Sequence, residues 1–198
     1  MVICHKNKIV YIGVPQTGST FLHNELSKYD DLFIDNSSLK HGRAPDAIKL
    51  GAKGYEFILF VRNHIECQKS DWGLMKRVSN LGIDHINSIT IKEWKTKCLN
   101  FYKENPNSDK WIMSKLEKRS RGDTIFENYT DSNCHTTYLK YENFEQSCKI
   151  LFDKLERPLP DLSKKINSSD GMCLSIKKET IKQIIYIYQN EMEKFNYI

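Results

Sequence analysis

Apolar residues form two short continuous runs in the first third of the chain, and a helical pattern follows each run. The first run covers residues 8–14 and the second residues 57–61. Behind the first, four apolar residues recur at the spacing of one helix face: Phe21, Leu22, Leu26 and Tyr29. Behind the second, residues 65–78 have a helical pattern. Short β-branched runs are typical of strands buried on both faces of a parallel sheet, so the pattern predicts two strand–turn–helix units.

The rest of the chain carries further elements. Residues 89–104 and 143–155 are predicted to be helical, and residues 135–139 to form a short strand. Near the end, six residues predict a helix face that closes the core: Ile181, Ile184, Ile185, Tyr188, Met192 and Phe195. A length of 198 residues allows one sizeable core. We therefore expect one three-layer α/β domain over residues 1–198, with a central parallel sheet and helices on both faces.

The composition is that of an ordinary globular protein, with 39% hydrophobic and 28% charged residues. No apolar run reaches the roughly 18 residues of a membrane span. The start of the chain, residues 1–8, is short and polar, unlike a secretory signal. These patterns predict a soluble, cytoplasmic protein without a membrane span. The net charge of +5, from 30 basic and 25 acidic residues spread along the chain, selects no partner.

The spacing of the cysteines and histidines and the make-up of one basic cluster argue against several classes of site. Six cysteines are widely spaced and are expected to be reduced thiols: Cys4, Cys67, Cys98, Cys134, Cys148 and Cys173. The histidines form no H-x-x-x-H pair, so no metal site is expected. A basic cluster precedes Gly122 and consists of Lys115, Lys118, Arg119 and Arg121. It lacks the interleaved aromatic residues of a nucleic-acid-binding surface. Two interpretations stay open: the cluster is a solvated face, or it contacts an acidic acceptor or a phosphate of the cofactor.

The turn after the first strand carries the candidate chemistry. Gly13-Val-Pro-Gln-Thr-Gly18 has the G-x-x-x-x-G spacing of a P-loop-like segment, in which backbone N–H groups and a helix N-terminus face a phosphate. A nucleoside triphosphatase would have lysine after the second glycine, where this chain has Ser19, so a kinase or ATPase is disfavoured. A plain turn capped by Ser19 or Thr20 is the structural alternative.

With its neighbours, this turn resembles a known family. Residues 14–22, Val-Pro-Gln-Thr-Gly-Ser-Thr-Phe-Leu, are similar to the 5′-phosphosulfate loop of sulfotransferases, usually written P-K-T-G-S/T-T. The resemblance implies that the donor, 3′-phosphoadenosine 5′-phosphosulfate (PAPS), is bound by Gln16, Thr17, Gly18, Ser19 and Thr20. The family has a lysine, or in some branches an arginine, at position 16. Gln16 can donate a hydrogen bond there but supplies no charge.

A second match follows the second strand. Phe60-Val-Arg62-Asn63 with Ser70 is similar to the family's 3′-phosphate site, in which an arginine and a serine are eight residues apart. An arginine at a strand end can make a forked, charge-assisted contact to a phosphate, and a serine two helical turns later can add a hydroxyl. The alternative for Arg62 is a surface ion pair.

A third match lies between the other two. Leu-Lys40-His41-Gly-Arg-Ala44 resembles the K-H-x-x-A segment of Golgi-type carbohydrate sulfotransferases. It implies that His41 is the general base, a role suited to a neutral imidazole near pH 7. Lys40 is then a candidate for the charge that Gln16 lacks. The alternative for His41 is a solvated loop histidine.

Softer matches extend the resemblance to the end of the chain. They cover residues 138–144, 165–169 and 185–197. The resemblance implies sulfuryl transfer from PAPS to a hydroxyl acceptor, with carbohydrate as the expected acceptor and no metal. The alternative is a relative that binds the nucleotide or a glycan without turnover, because Gln16 replaces the lysine.

Overall fold

The computed structural model describes residues 1–34, 41–81, 96, 100, 103–104, 107–164 and 174–198. By its internal contacts the chain divides into two compact units. The first comprises Met1–Asn63 with Thr124–Ser168, and the second His64–Asp123 with Ser169–Ile198. The expectation of a single domain stays a prediction.

The strands belong to the first unit and the helices to both. The strands are β1 (Val2–Cys4), β2 (Ile9–Ile12), β3 (Phe33–Ile34), β4 (Glu56–Val61) and β5 (Thr136–Lys140). The helices are α1 (Ser19–Leu26), α2 (Ala44–Lys49), α3 (His64–Leu81), α4 (Ser108–Leu116), α5 (Phe144–Lys154) and α6 (Lys178–Lys194). Short 3₁₀ turns occur at Glu127–Tyr129, Tyr141–Asn143 and Leu162–Lys164. The α/β class is therefore confirmed.

The sheet has five strands in the order β3-β1-β2-β4-β5. Its centre is parallel, because β4 pairs in parallel with both β2 and β5. The edge formed by β1 and β3 is antiparallel. The sequence pattern missed β1, since residues 1–8 are polar on average. Val2, Ile3 and Cys4 are nevertheless buried, and β1 forms a hairpin with β2.

The strands β2 and β4 are buried on both sides, as their continuous apolar runs indicate. Successive side chains of a strand point to opposite faces, so Tyr11 and Phe60 lie on one face while Val10 and Leu59 lie on the other. All four are buried. On the Tyr11 face, α1 and α5 contribute six core side chains: Phe21, Leu22, Leu26, Cys148, Leu151 and Phe152.

A polar cluster holds the beginning of β4. The Glu56 carboxylate accepts a hydrogen bond from Thr137 Oγ1 at 2.6 Å and pairs with Lys154 Nζ at 2.9 Å. Burial alone would raise the pKa of Glu56, but these hydrogen bonds and the Lys154 charge outweigh it and hold the pKa below its ordinary value of 4.5. The cluster joins β4, β5 and the end of α5.

In the part of the second unit that the structure describes, helices α3, α4 and α6 pack against one another. The sequence pattern did not predict α4. Its first turn is capped by Asn107, whose side chain accepts hydrogen bonds from the Asp109 and Lys110 amides. Asp109 in turn accepts from Lys177 N at 2.8 Å and Thr180 Oγ1 at 2.7 Å, so α4 is tied to the start of α6.

A buried polar pair joins α3 to α6. His64 Nε2 lies 2.7 Å from Glu191 Oε2, and both side chains have no exposed surface. The His64 ring stacks on Tyr188 at 4.7 Å, where the backbone of α6 departs from helical geometry. Of the predicted α6 face, Ile181 and Ile185 are only half-buried, whereas Ile184, Tyr188, Met192 and Phe195 are buried.

Several sequence predictions lie partly or wholly outside the described residues. Residues 165–169 and Lys40 are not described, nor are Cys98 and Cys173. Of the predicted helix over 89–104, residues 96, 100, 103 and 104 are described, and they have helical backbone. Cys4, Cys67, Cys134 and Cys148 are not joined in disulfide bonds. Within the described ranges, no helix is long and apolar enough to cross a membrane.

Candidate functional site

The loop at residues 13–18 joins β2 to α1 through two residues in the left-handed backbone region. Gln16 has φ +67° and Gly18 has φ +76°. Between them, Thr17 is fully buried, and its hydroxyl donates to the Val14 carbonyl at 2.7 Å. The left-handed region is unusual for a residue with a side chain. The backbone of Gln16 is therefore held in an unfavourable conformation by the surrounding contacts.

Glycine at position 18 is required by packing as well as by backbone angle. A Cβ atom there would lie 2.8 Å from Phe144 Cε2 and 3.2 Å from Tyr141 Cε2. The ring of Phe144 also packs on Phe21 and Phe60, with ring centroids 6.0 and 5.8 Å apart. Two aromatic rings from the end of β5 and the start of α5 thus close directly over the loop.

Helix α1 starts at Ser19, with Gly18 as its N-cap. The Leu22 amide donates to the Gly18 carbonyl at 3.2 Å, and no side chain caps the helix from the N-cap position. Ser19 and Thr20 lie inside the helix, so neither is its N-cap; the alternative of a plain strand-to-helix turn without a ligand stays open. The first N–H groups of an α-helix have no partner within the helix, and its N-terminus carries partial positive charge.

Arg62 lies at the end of β4 and reaches this loop. Its Nη1 donates to the Gln16 carbonyl oxygen at 3.0 Å. Its guanidinium lies over the Tyr141 ring, 4.5 Å from the centroid. Parallel pairing explains the meeting, because β2 and β4 end at the same edge of the sheet. The residue after Arg62 is also held there, since the Asn63 amide donates to Glu142 Oε1 at 2.8 Å.

His41 contacts the start of the same loop. Its Nδ1 lies 2.5 Å from the Gly13 carbonyl oxygen. A carbonyl oxygen only accepts hydrogen bonds, so Nδ1 must carry the proton and be the donor. In the neutral imidazole the lone pair is then on Nε2, the atom that a general base needs. The predicted site residues Gln16 to Thr20, Arg62 and His41 are therefore brought together.

Ser70 belongs to a different part of the structure. It lies in α3 of the second unit and is half-buried, whereas Arg62 belongs to the first unit. The pairing of Arg62 with Ser70 on one phosphate stays a prediction, as does the role of Lys40.

The basic cluster of the second unit is occupied by contacts within that unit. Lys115 pairs with Asp71, and Arg119 Nη1 lies 3.7 Å from Asp123 Oδ2. Arg121 Nη2 donates to Gln189 Oε1 at 3.2 Å. These contacts favour the interpretation of the cluster as a solvated, ion-paired face.

Sequence reasoning assigned no role to Tyr141 and Phe144, the two rings against the loop. Their rings are 5.3 Å apart. A usable signal was present: two aromatic residues directly follow a predicted strand, at the sheet edge where the loop lies. Among the residues that the structure describes, no group of three or more His, Cys, Asp or Glu side chains has the arrangement of a metal site.

Comparisons with known proteins give no relative. No protein-family model matches the chain, and neither a curated protein nor a solved structure matches it. The functional interpretation therefore depends on the residues and on their geometry.

Proposed function

We propose that this protein is a sulfotransferase that moves a sulfuryl group from PAPS to a hydroxyl acceptor. One observation carries the proposal. Arg62 and His41, from separate parts of the chain, both bond to backbone carbonyls of the loop at residues 13–18. A cation and an imidazole thus each contact a glycine-containing strand-to-helix turn, at the carboxyl edge of parallel strands. That edge is where open α/β sheets bind ligands.

In the proposed reaction, the acceptor oxygen attacks the sulfur of PAPS in line with the bond to the bridging oxygen. A new S–O bond forms as the bond between sulfur and the bridging oxygen breaks. The acceptor proton passes to His41 Nε2, and the electron pair of the broken bond leaves on the 5′-phosphate. The products are a sulfate ester and adenosine 3′,5′-bisphosphate. No redox step is involved.

The loop supplies the electrostatic part of catalysis. The backbone amides of residues 17–20 and the side chain of Gln16 would bind the 5′-phosphosulfate, and the N-terminus of α1 would favour its negative charge. Arg62 is proposed as a further contact for the nucleotide. Hydrogen bonds that are fixed in place before reaction stabilise developing charge without reorganisation. A hydroxyl of a carbohydrate is the proposed acceptor.

The first test is calorimetric titration with adenosine 3′,5′-bisphosphate, the proposed product. Wild type is expected to bind it, and Arg62→Ala is expected to weaken binding by about tenfold or more. Arg157→Ala is the matched control, because the Arg157 guanidinium also lies over a tyrosine ring, Tyr29, at 4.8 Å. The absence of binding by wild type, or equal losses in both variants, would refute the proposed nucleotide site.

The second test measures transfer of labelled sulfate from PAPS to a panel of hydroxyl acceptors that includes carbohydrates. His41→Gln is expected to lower kcat by about 10²–10⁴-fold, the usual contribution of general-base catalysis, while nucleotide affinity changes little. Unchanged kcat in His41→Gln would remove His41 from the mechanism.

A second candidate function is nucleotide or glycan binding without turnover. It is favoured by one observation, the uncharged Gln16 at the position where sulfotransferases have a cation. Gln16→Lys separates the two functions. A large gain in sulfate transfer by Gln16→Lys would mean that the natural loop is a binding site alone, whereas equal activity would mean that another cation serves the loop.

A further inference from the structure

We infer that Arg62 acts on the 5′ side of the donor, as a positioning residue that also supplies the positive charge missing at Gln16. This inference rests on the proposed function and changes the part that the resemblance implies for Arg62. The resemblance assigns Arg62 to the 3′-phosphate. The geometry points instead to the loop that would hold the phosphosulfate.

The guanidinium contacts the loop itself and an aromatic ring that packs against the loop. Nη1 donates to the Gln16 carbonyl oxygen at 3.0 Å, and the guanidinium plane lies over the Tyr141 ring at 4.5 Å. Tyr141 itself lies against Gly18, where an added Cβ would approach its ring to 3.2 Å. Arg62, Tyr141 and the loop therefore form one packed group within the first unit.

This group stabilises an unfavourable backbone. Gln16 has φ +67°, a conformation that residues with side chains keep only where their surroundings impose it. The hydrogen bond from Arg62 fixes the Gln16 carbonyl, and the conformation of the following amides depends on that peptide plane. A loss of Arg62 is expected to loosen the amides of residues 17–20.

The same contact places a full positive charge beside the loop. Gln16 supplies a hydrogen bond without charge, and a half-buried cation in van der Waals and hydrogen-bonding contact is screened less by water than an exposed one. As sulfur leaves the bridging oxygen, negative charge develops on the 5′-phosphate. Arg62 is positioned to stabilise that charge through the loop.

The test compares two nucleotides that differ in the 3′-phosphate alone: PAPS and adenosine 5′-phosphosulfate. Arg62→Met keeps the aliphatic stem and removes the guanidinium that lies over Tyr141, with its charge and its donors. We expect Arg62→Met to weaken the binding of both nucleotides by the same factor, about 10-fold to 100-fold. Arg62→Lys, which keeps the charge but loses the planar fork, is expected to lie between wild type and Arg62→Met.

Rescue separates charge at the loop from a merely structural role. Gln16→Lys in the Arg62→Met background is expected to restore at least half of the lost affinity on a logarithmic scale, and the effect of Gln16→Lys in wild type is measured beside it. Thermal melting of each variant accompanies the titrations. If Arg62→Met does not fold, the same comparison is made with Arg62→Gln, which also removes the charge.

The outcomes distinguish this inference from the proposed function. If wild type binds neither nucleotide, the proposed function fails and this inference fails with it. If wild type binds both and Arg62→Met loses affinity for PAPS but not for adenosine 5′-phosphosulfate, the proposed function stands. Arg62 is then a ligand of the 3′-phosphate, and this inference is overturned. Equal loss for both nucleotides without rescue by Gln16→Lys would overturn the charge role.

Discussion

Gly18→Ala is the substitution whose effect the structure defines most sharply. It adds one methyl group at a residue with φ +76°, against the ring of Phe144 at 2.8 Å. Gly54→Ala is a matched control, because Gly54 has φ +77° and nothing lies within 4 Å of an added Cβ. The two variants share the backbone strain and differ in the contact.

The magnitudes follow from these two differences. A left-handed backbone costs a residue with a Cβ roughly 1–2 kcal/mol. The smaller entropy of alanine in the unfolded chain offsets roughly 0.5 kcal/mol of this cost. We therefore expect Gly54→Ala to lower the free energy of unfolding by about 1 kcal/mol. Overpacking against Phe144 adds about 1–3 kcal/mol, so Gly18→Ala is expected to lower it by about 2–4 kcal/mol.

The assay is urea denaturation followed by circular dichroism and by tryptophan fluorescence. Trp72 and Trp111 belong to the second unit, so fluorescence reports on that unit while circular dichroism reports on both. Coincident transitions are expected for the single domain that the sequence predicts, and they justify a two-state free energy. Separate transitions would contradict the single-domain prediction.

The reasoning is refuted if Gly18→Ala and Gly54→Ala lower stability equally, since the contact with Phe144 would then cost nothing. Phe144→Leu provides an internal check. Combined with Gly18→Ala, it removes the ring that the methyl group meets, and the combined loss of stability is expected to be smaller than the sum of the single losses. Strict additivity would show that the two residues do not meet.

Three further predictions concern stability. The Tyr11 hydroxyl is fully buried and has no hydrogen-bond partner in the described structure. In urea denaturation, Tyr11→Phe is therefore expected to raise the free energy of unfolding by about 1 kcal/mol. A clear decrease would contradict this. Glu191→Ala is expected to lower the free energy of unfolding by about 3–5 kcal/mol in the same measurement, because it leaves His64 buried without the carboxylate that it contacts. Glu191→Gln is expected to lower it less. If neither variant changes the stability, the pair does not contribute to it. Hydrogen bonds lower the pKa of Glu56 in the folded state, so the ionised carboxylate stabilises the fold above pH 4.5, and this stabilisation is lost as pH falls through the folded-state pKa. In urea titrations at several pH values, the free energy of unfolding of Glu56→Gln should therefore fall less at acid pH than that of wild type. An equal fall in both proteins would contradict this.

Periodicity alone predicted the elements that carry strong apolar patterns. The runs at residues 57–61 and 8–14 became β4 and β2, and the helical patterns behind them became α3 and α1. Such patterns are informative because a buried strand or a helix face needs apolar side chains at fixed intervals. The short strand β1 and the helix α4 escaped prediction. Strand β1 has only three buried residues in a polar segment, and the start of α4 is marked by a side-chain cap. Neither feature gives a periodic apolar pattern.

The amino-acid sequence by itself determined the composition of the loop: its two glycines, its uncharged Gln16, and an arginine and a histidine elsewhere in the chain. Tertiary structure alone decided how these residues meet. Parallel pairing of β2 with β4 brings Arg62 to the Gln16 carbonyl, and the rings of Tyr141 and Phe144 close against Gly18. Sequence reasoning could not place these contacts, because a long-range contact depends on strand order and on side-chain direction, and neither is encoded in local periodicity.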